Sequence, residues 1–268
     1  MADPLERIAA ALERFAPPPP AAVDLLAAPA YVWRSGALAV ARQFAPLPLA
    51  ALVGIDRQKA SLVDNLRRLA AGHAAQDVLL WGARGTGKSA LVKAAAAAVQ
   101  ATDMAALALV EVAAIADLPA LFARLDGVPR AFALFADDIA FDSAAEGRVL
   151  RSLLEGGAEA RPDNVRLLVT SNRRHLLPRD IAAQASAINP RDAIDDELAL
   201  ADRFGLSLGF HVLDQDGYLA IVAGYLAARD LPFDANDAVR WATVRGSRSG
   251  RVAWQYVVEV AGREGRAL

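Results

Sequence analysis

The sequence predicts an α/β fold with a five-stranded parallel sheet and a small all-helical unit at the C-terminal end. Three observations carry that prediction. Five short apolar runs recur along the chain with helix-like stretches between most of them, the pattern of buried parallel strands joined by crossover helices. A glycine-rich octapeptide, Gly82 to Ser89, lies between the first of these runs and a helix. From Asp214 onward no comparable run occurs, and the apolar spacing is that of three helices.

Composition narrows the class. With 268 residues the chain can hold one large domain, or a medium domain with a satellite. Hydrophobic residues at 55% and charged residues at 22% place it away from the disordered range. The longest charge-free stretch, Gln43 to Ile55, is thirteen residues with Pro46 and Pro48 inside it, too short for a membrane-spanning helix of about 20 residues. The segment Met1 to Arg14 carries Asp3, Glu6 and Glu13 and lacks the basic-then-apolar layout of a secretory signal. A cytoplasmic location without membrane partners is therefore expected. The absence of cysteine excludes disulfides, thiolate metal sites and cysteine nucleophiles, and three scattered histidines offer little for zinc. A net charge of −2, from 29 basic and 31 acidic residues, provides no global field for nucleic acid.

In chain order, residues 1–50 read as a helical and extended N-terminal segment. Leu5, Ile8, Ala9 and Leu12 fit a short helix over Asp3 to Phe15, stopped by Pro17 to Pro20. Tyr31, Val32, Trp33, Leu38, Val40 and Phe44 are too apolar for a free tail and are expected on the surface of the main domain or of a partner subunit. Residues 51–213 form the α/β core. It opens with an amphipathic helix, Asp56 to Ala71, ended by Gly72. Strands follow at Val78 to Trp81, Leu107 to Val112, Phe132 to Ala136, Val165 to Thr170 and about Phe204 to Val212. Residues 214–268 form the helical unit, with helices near Asp216 to Arg229, Asn236 to Val244 and Gly250 to Glu264.

The octapeptide Gly82-Ala83-Arg84-Gly85-Thr86-Gly87-Lys88-Ser89 matches the phosphate-loop pattern of Gly, four residues, Gly, Lys and Ser or Thr. Glycines permit positive φ and close approach, so that backbone N–H groups and the following helix N-terminus face a phosphate. Lys88 is placed to reach the β and γ phosphates of a nucleotide, and Ser89 to offer its hydroxyl to Mg2+. Asp137 and Asp138 end an apolar strand, where ligands of open α/β sheets sit. Asp137 is then a magnesium contact and Asp138 the group that polarises the attacking water; the alternative is that both cap the next helix. Asn172 ends the strand Leu167 to Thr170, either to hydrogen-bond the attacking water or γ-phosphate or as a turn residue. Arg203 precedes the fifth strand, either to stabilise transition-state charge in a neighbouring subunit's site or to pair with Asp202 or Asp196. Arg251 opens the last helix, and its alternative is a solvated charge. Arg240, Arg245, Arg248 and Arg251 make the best local basic patch, read as a solvated surface in preference to a phosphate-backbone contact.

In order and spacing, Gly82 to Ser89, Asp137-Asp138, Thr170-Ser171-Asn172, Asp202-Arg203-Phe204 and Ser249-Gly250-Arg251 resemble the Walker A, Walker B, sensor 1, arginine finger and sensor 2 elements of an AAA+ P-loop ATPase. More narrowly, Leu80 to Ser89, Leu154-Glu155-Gly156-Gly157, Thr170 to Leu176 and Ala30 to Arg34 resemble the bacterial ATP-binding family catalogued as domain of unknown function 815. The resemblance implies a core sheet in the order 5-1-4-3-2, a helical lid, Mg-ATP hydrolysis and a homo-oligomer with sites at subunit interfaces. It further implies remodelling or loading of an unidentified protein or nucleic-acid client, and the alternative is a nucleotide-dependent switch with little or no hydrolysis. One departure is Asp138, where the second Walker B acid of AAA+ proteins is usually Glu. The shorter side chain slows water activation unless the backbone sits closer.

Overall fold

The computed structural model describes residues 3–4, 23–34, 36–138, 144–155, 161–172 and 202–268. The expected helix over Asp3 to Phe15 lies, beyond Pro4, outside the described residues, as do Pro17 to Pro20, Gly156-Gly157, Arg173 to Leu176 and Asp196. The chain runs through β1 (Ala30–Arg34), β2 (Ala37–Val40), α1 (Asp56–Ala70), β3 (Val78–Gly82), α2 (Lys88–Gln100) and β4 (Leu107–Val112). It continues through α3 (Leu118–Leu125), β5 (Ala131–Ala136), α4 (Ala144–Glu155), β6 (Val165–Ser171) and β7 (Leu206–Phe210), then α5 (Gln215–Ala227), α6 (Ala235–Val244) and α7 (Gly250–Arg263).

These strands form one sheet in the order β2-β1-β4-β5-β6-β3-β7. Every pairing is parallel except that of β1 with β2. The expectation of a five-stranded sheet is thus corrected to seven strands. Within it β7, β3, β6, β5 and β4 keep the relative places of 5-1-4-3-2, and the hairpin β1–β2 adds two strands beyond β4. Tyr31, Trp33 and Leu38 are buried in the sheet core while Val40 is 51% exposed, so this stretch is part of the sheet and not a segment laid on the domain's surface. Gly36, at φ 77, stands next to the facing pair Arg34 and Ala37 that closes the hairpin.

Both faces of the sheet are covered, which is why its strands read as unbroken apolar runs. Phe132 and Leu134 point to the side holding Leu121 and Phe122 of α3 and Leu150 of α4. Ala133 and Phe135, one residue out of phase, face the side holding Leu62 and Leu66 of α1 and Leu91 of α2. In α1 the buried Leu62, Leu66 and Leu69 fall on one helical stripe, and Gly72 at φ 71 takes the chain out, its N–H bonding to Leu69 O at 3.0 Å. The three C-terminal helices have their own core around Tyr218, Val222, Tyr256 and Val257. Each begins on a side-chain cap: Asp214 on Gly217 N, Asp234 on Asn236 and Asp237 N, and Ser249 on Val252 N.

The approach to the hairpin is fixed by one buried cation. Arg130, 4% exposed, donates from Nη1 to Leu25 O and Ala28 O, both at 2.8 Å, and from Nη2 to Met104 O at 2.6 Å and Leu107 O at 3.0 Å. Tyr31 adds its hydroxyl, which donates to Asp24 O at 2.7 Å and accepts from Ala28 N at 3.0 Å. Arg130→Met keeps the stem but leaves those carbonyls without their donor, so it should destabilise the fold by about 3 kcal/mol or more. Urea unfolding monitored by circular dichroism reads this directly; an unshifted midpoint would show that the carbonyls find other donors.

Candidate functional site

Parallel strands present their C-terminal ends together. The ends of β3, β5 and β6 meet the first turn of α2 and the start of α7 around a cleft of about 510 Å³, a volume suited to a small-molecule ligand. The loop of residues 82–87 forms its floor, and packing fixes that loop from both sides. Gly82 has φ 133, and a Cβ there would lie 2.0 Å from Phe210 O of β7. Gly85 has φ 74, and its Cβ would lie 2.8 Å from Ser249 Cβ. Gly250 N–H also donates to Gly85 O at 2.9 Å, so the last helix starts directly on the loop. Two glycines that suit phosphate approach are therefore also demanded by strand β7 and by the helical lid.

Lys88, the first residue of α2, is 6% exposed. Its Nζ donates to Gly82 O at 2.7 Å, Ala83 O at 2.8 Å and Asn172 Oδ1 at 3.2 Å. Burial pulls its ammonium below the ordinary lysine range, while the carboxylates of Asp138 and Asp137 pull it back up. Asp137 Oδ1 accepts from Ser89 Oγ and from Thr170 Oγ1, both at 2.6 Å. Thr170 Oγ1 in turn accepts from Asp138 N at 2.7 Å. Asp138 has φ 50, a left-handed conformation that aspartate tolerates better than most residues. Its Oδ1 accepts from Asn172 Nδ2, and its Oδ2 lies 3.6 Å from Arg84 Nη2. Both aspartates line the cleft.

Of the residues the sequence singled out, Arg84, Gly85, Gly87, Lys88, Ser89, Asp137, Asp138, Asn172 and Arg251 line the cleft. Gly82, Ala83 and Thr86 complete its loop, with Thr86 Oγ1 donating to Ala83 O at 2.8 Å. Arg203 is not among the lining residues. It precedes β7, whose far end, Phe210, faces Gly82, so Arg203 stands by the opposite end of that strand. The four lid arginines do not act as one patch. Arg240 pairs with Asp237 at 3.2 Å, the Arg245 guanidinium lies 3.3 Å over the Trp241 ring, Arg248 reaches Gln215, and Arg251 faces the cleft.

Two roles were left unassigned by the sequence. Thr170, 1% exposed, joins the two aspartates, and it lies two residues before Asn172, which follows the end of β6. An apolar end of the cleft comes from Leu47, Leu52, Tyr225 and Trp254, which no local motif announces. Tyr225 meets Trp254 edge-on at 5.7 Å, and the Arg229 guanidinium lies 4.6 Å over the Trp254 ring.

The loop-to-lid contact can be tested without any ligand. Gly85→Ala places a methyl group against Ser249 at a left-handed position costing about 1–2 kcal/mol. The start of α7 should lift away, and the Gly250 amide should exchange its hydrogen faster than in the parent. Equal exchange rates would show that Gly250 is held by something other than Gly85.

The chain has an α/β fold similar to that of AAA+ ATPases. Among solved structures it is similar to the ORC1 protein of Aeropyrum pernix in complex with DNA, with a TM-score of 0.55, 16% identity, and coverage of 80% of this chain and 64% of that one. It is also similar to the Aeropyrum pernix ORC2 protein, with a TM-score of 0.50, 14% identity and coverage of 82% and 70%. A variant of Thermotoga maritima RuvB matches with a TM-score of 0.50, 18% identity and coverage of 81% and 73%. None of the curated proteins matches the chain. No helix among the described residues is long and apolar enough to cross a membrane. The model of the family described as "Protein of unknown function (DUF815)" matches residues 26–264, and the chain belongs to that family.

Proposed function

We propose that the cleft binds Mg-ATP and hydrolyses it, and that the cycle drives remodelling or loading of a macromolecular client, protein or nucleic acid. The observation that carries this reading is the meeting of Lys88, Ser89, Asp137, Asp138 and Asn172 at one phosphate-sized loop. The loop amides and Lys88 bind and orient the phosphates. Ser89 Oγ and Asp137 Oδ1, 2.6 Å apart, form a pair of hard oxygen donors that suits magnesium, which takes few protein ligands besides phosphate and water. Bound magnesium supplies charge neutralisation to the phosphates. Asp138 polarises the attacking water and Asn172 orients it, with Thr170 fixing both aspartates in place. Leu47, Leu52, Tyr225 and Trp254 supply an apolar wall for the base, and Arg251 reaches the phosphates from the lid.

Because Arg203 lies away from its own cleft, its role belongs to an assembly in which each subunit offers this arginine to the next. The nucleic-acid form of the client draws support from the DNA complex named for ORC1. A second reading, a nucleotide-dependent switch with little hydrolysis, is favoured by one observation: Asp138 is a short acid already engaged by Asn172 and Arg84.

Two experiments divide these readings. Lys88→Ala should weaken ATP binding by about tenfold or more, the worth of a lost charge-assisted contact, whereas Asp138→Asn should bind ATP and release phosphate at a small fraction of the parental rate. Calorimetry and steady-state phosphate release measure the two, and a parental protein that binds without turnover would select the switch. For Arg203, the alanine variant should bind ATP yet lose about 10³-fold or more in hydrolysis. Mixing it with Lys88→Ala protein should restore part of the rate, since one variant supplies the arginine and the other the intact loop. Full activity of Arg203→Ala alone would remove the interfacial role.

A further inference from the structure

The phosphate loop carries a cation that its backbone chemistry does not require. Arg84 lies between Ala83 and Gly85, its side chain is 76% exposed on the cleft, and its Nη2 stands 3.6 Å from Asp138 Oδ2. On the other oxygen of the same carboxylate sits Asn172 Nδ2, and Asn172 Oδ1 accepts from Lys88 Nζ at 3.2 Å. Lys88 returns to the loop through Gly82 O and Ala83 O. Loop, lysine, asparagine, aspartate and Arg84 thus form a closed ring of contacts at the polar end of the cleft.

The weakest link in that ring is Arg84 with Asp138. An exposed pair at this separation is screened by water and contributes little. A phosphate oxygen offers a guanidinium shorter, charge-assisted and paired hydrogen bonds. Arg84 also shares Asp138 with Asn172, and these are the groups that the nucleotide-binding reading sets at the outermost phosphate. We propose that Arg84 reads the terminal phosphate in cis: it leaves Asp138 for the γ-phosphate of a nucleoside triphosphate and stays on Asp138 when a diphosphate is bound. Arg84 therefore sets the preference of the cleft for triphosphate over diphosphate and couples it to the release of Asp138. This inference rests on the nucleotide-binding reading above, though not on turnover.

Binding affinities for the β,γ-imido analogue of ATP and for ADP, each with magnesium, test it in the full-length chain. Arg84→Gln should weaken the triphosphate analogue about tenfold while changing ADP by less than about twofold, since one charge-assisted contact is lost from only one ligand. Arg84→Lys, which keeps the charge without the paired donors, should fall between them. Asp138→Asn removes the competing carboxylate and should tighten the triphosphate analogue, and this gain should shrink when Arg84 is already glutamine. Equal losses for both nucleotides in Arg84→Gln would assign the side chain to loop geometry and overturn the proposal, as would an unchanged ratio or additive effects in the double variant. Parental protein that binds neither nucleotide would instead remove the reading beneath it, a distinct result from parental binding with an Arg84-independent ratio.

Discussion

The site depends on a steric constraint at two glycines. Gly82 has no room for a side chain because the Phe210 carbonyl of β7 is against it, and Gly85 has none because Ser249 of the lid is. The first contact exists because β3 lies between β6 and β7, and the second because α7 starts at the loop apex. Sheet and lid together therefore hold the loop in shape from packing alone, before any anion neutralises its amides. Lys88 and Ser89 follow directly at the start of α2, so their directions are inherited from the same constraint.

Charge balance completes the arrangement. Lys88, Arg84 and Arg251 face Asp137 and Asp138 across one cleft, and each aspartate already has partners of its own. Burial alone would push the Lys88 ammonium toward neutrality, and the two carboxylates oppose that.

The central strands were legible because covering a sheet on both faces requires continuous apolar runs, as in Phe132 to Ala136. The helix from Asp56 was legible through its apolar stripe and the terminal Gly72. The hairpin was harder to read: β2 is only Ala37–Val40 with Leu38 alone buried, and its place beside β1, and that of β1 beside β4, is a long-range pairing. Ser35-Gly36 between two apolar runs was the local signal for its turn. In the cleft, groups at strand ends were readable because parallel topology sends those ends to one place. Thr170 and the wall of Tyr225 and Trp254 were not, since their roles arise from segments brought together from distant parts of the chain. Arg203 was readable as a position ahead of the last strand, and the cleft of its own chain does not include it.

The bond between Gly250 and Gly85 makes α7 a lever. Its fulcrum is at the phosphate loop, and its arm is a helix of 14 residues, about 21 Å long at 1.5 Å per residue. A tilt of about 3° at the fulcrum moves the far end by about 1 Å over that length. That far end carries Arg263, which grips Asp237 of α6 at 2.8 Å and Glu259 at 2.9 Å. The floor of the cleft and the outer ion pairs beside α7 therefore stand at the two ends of one helix.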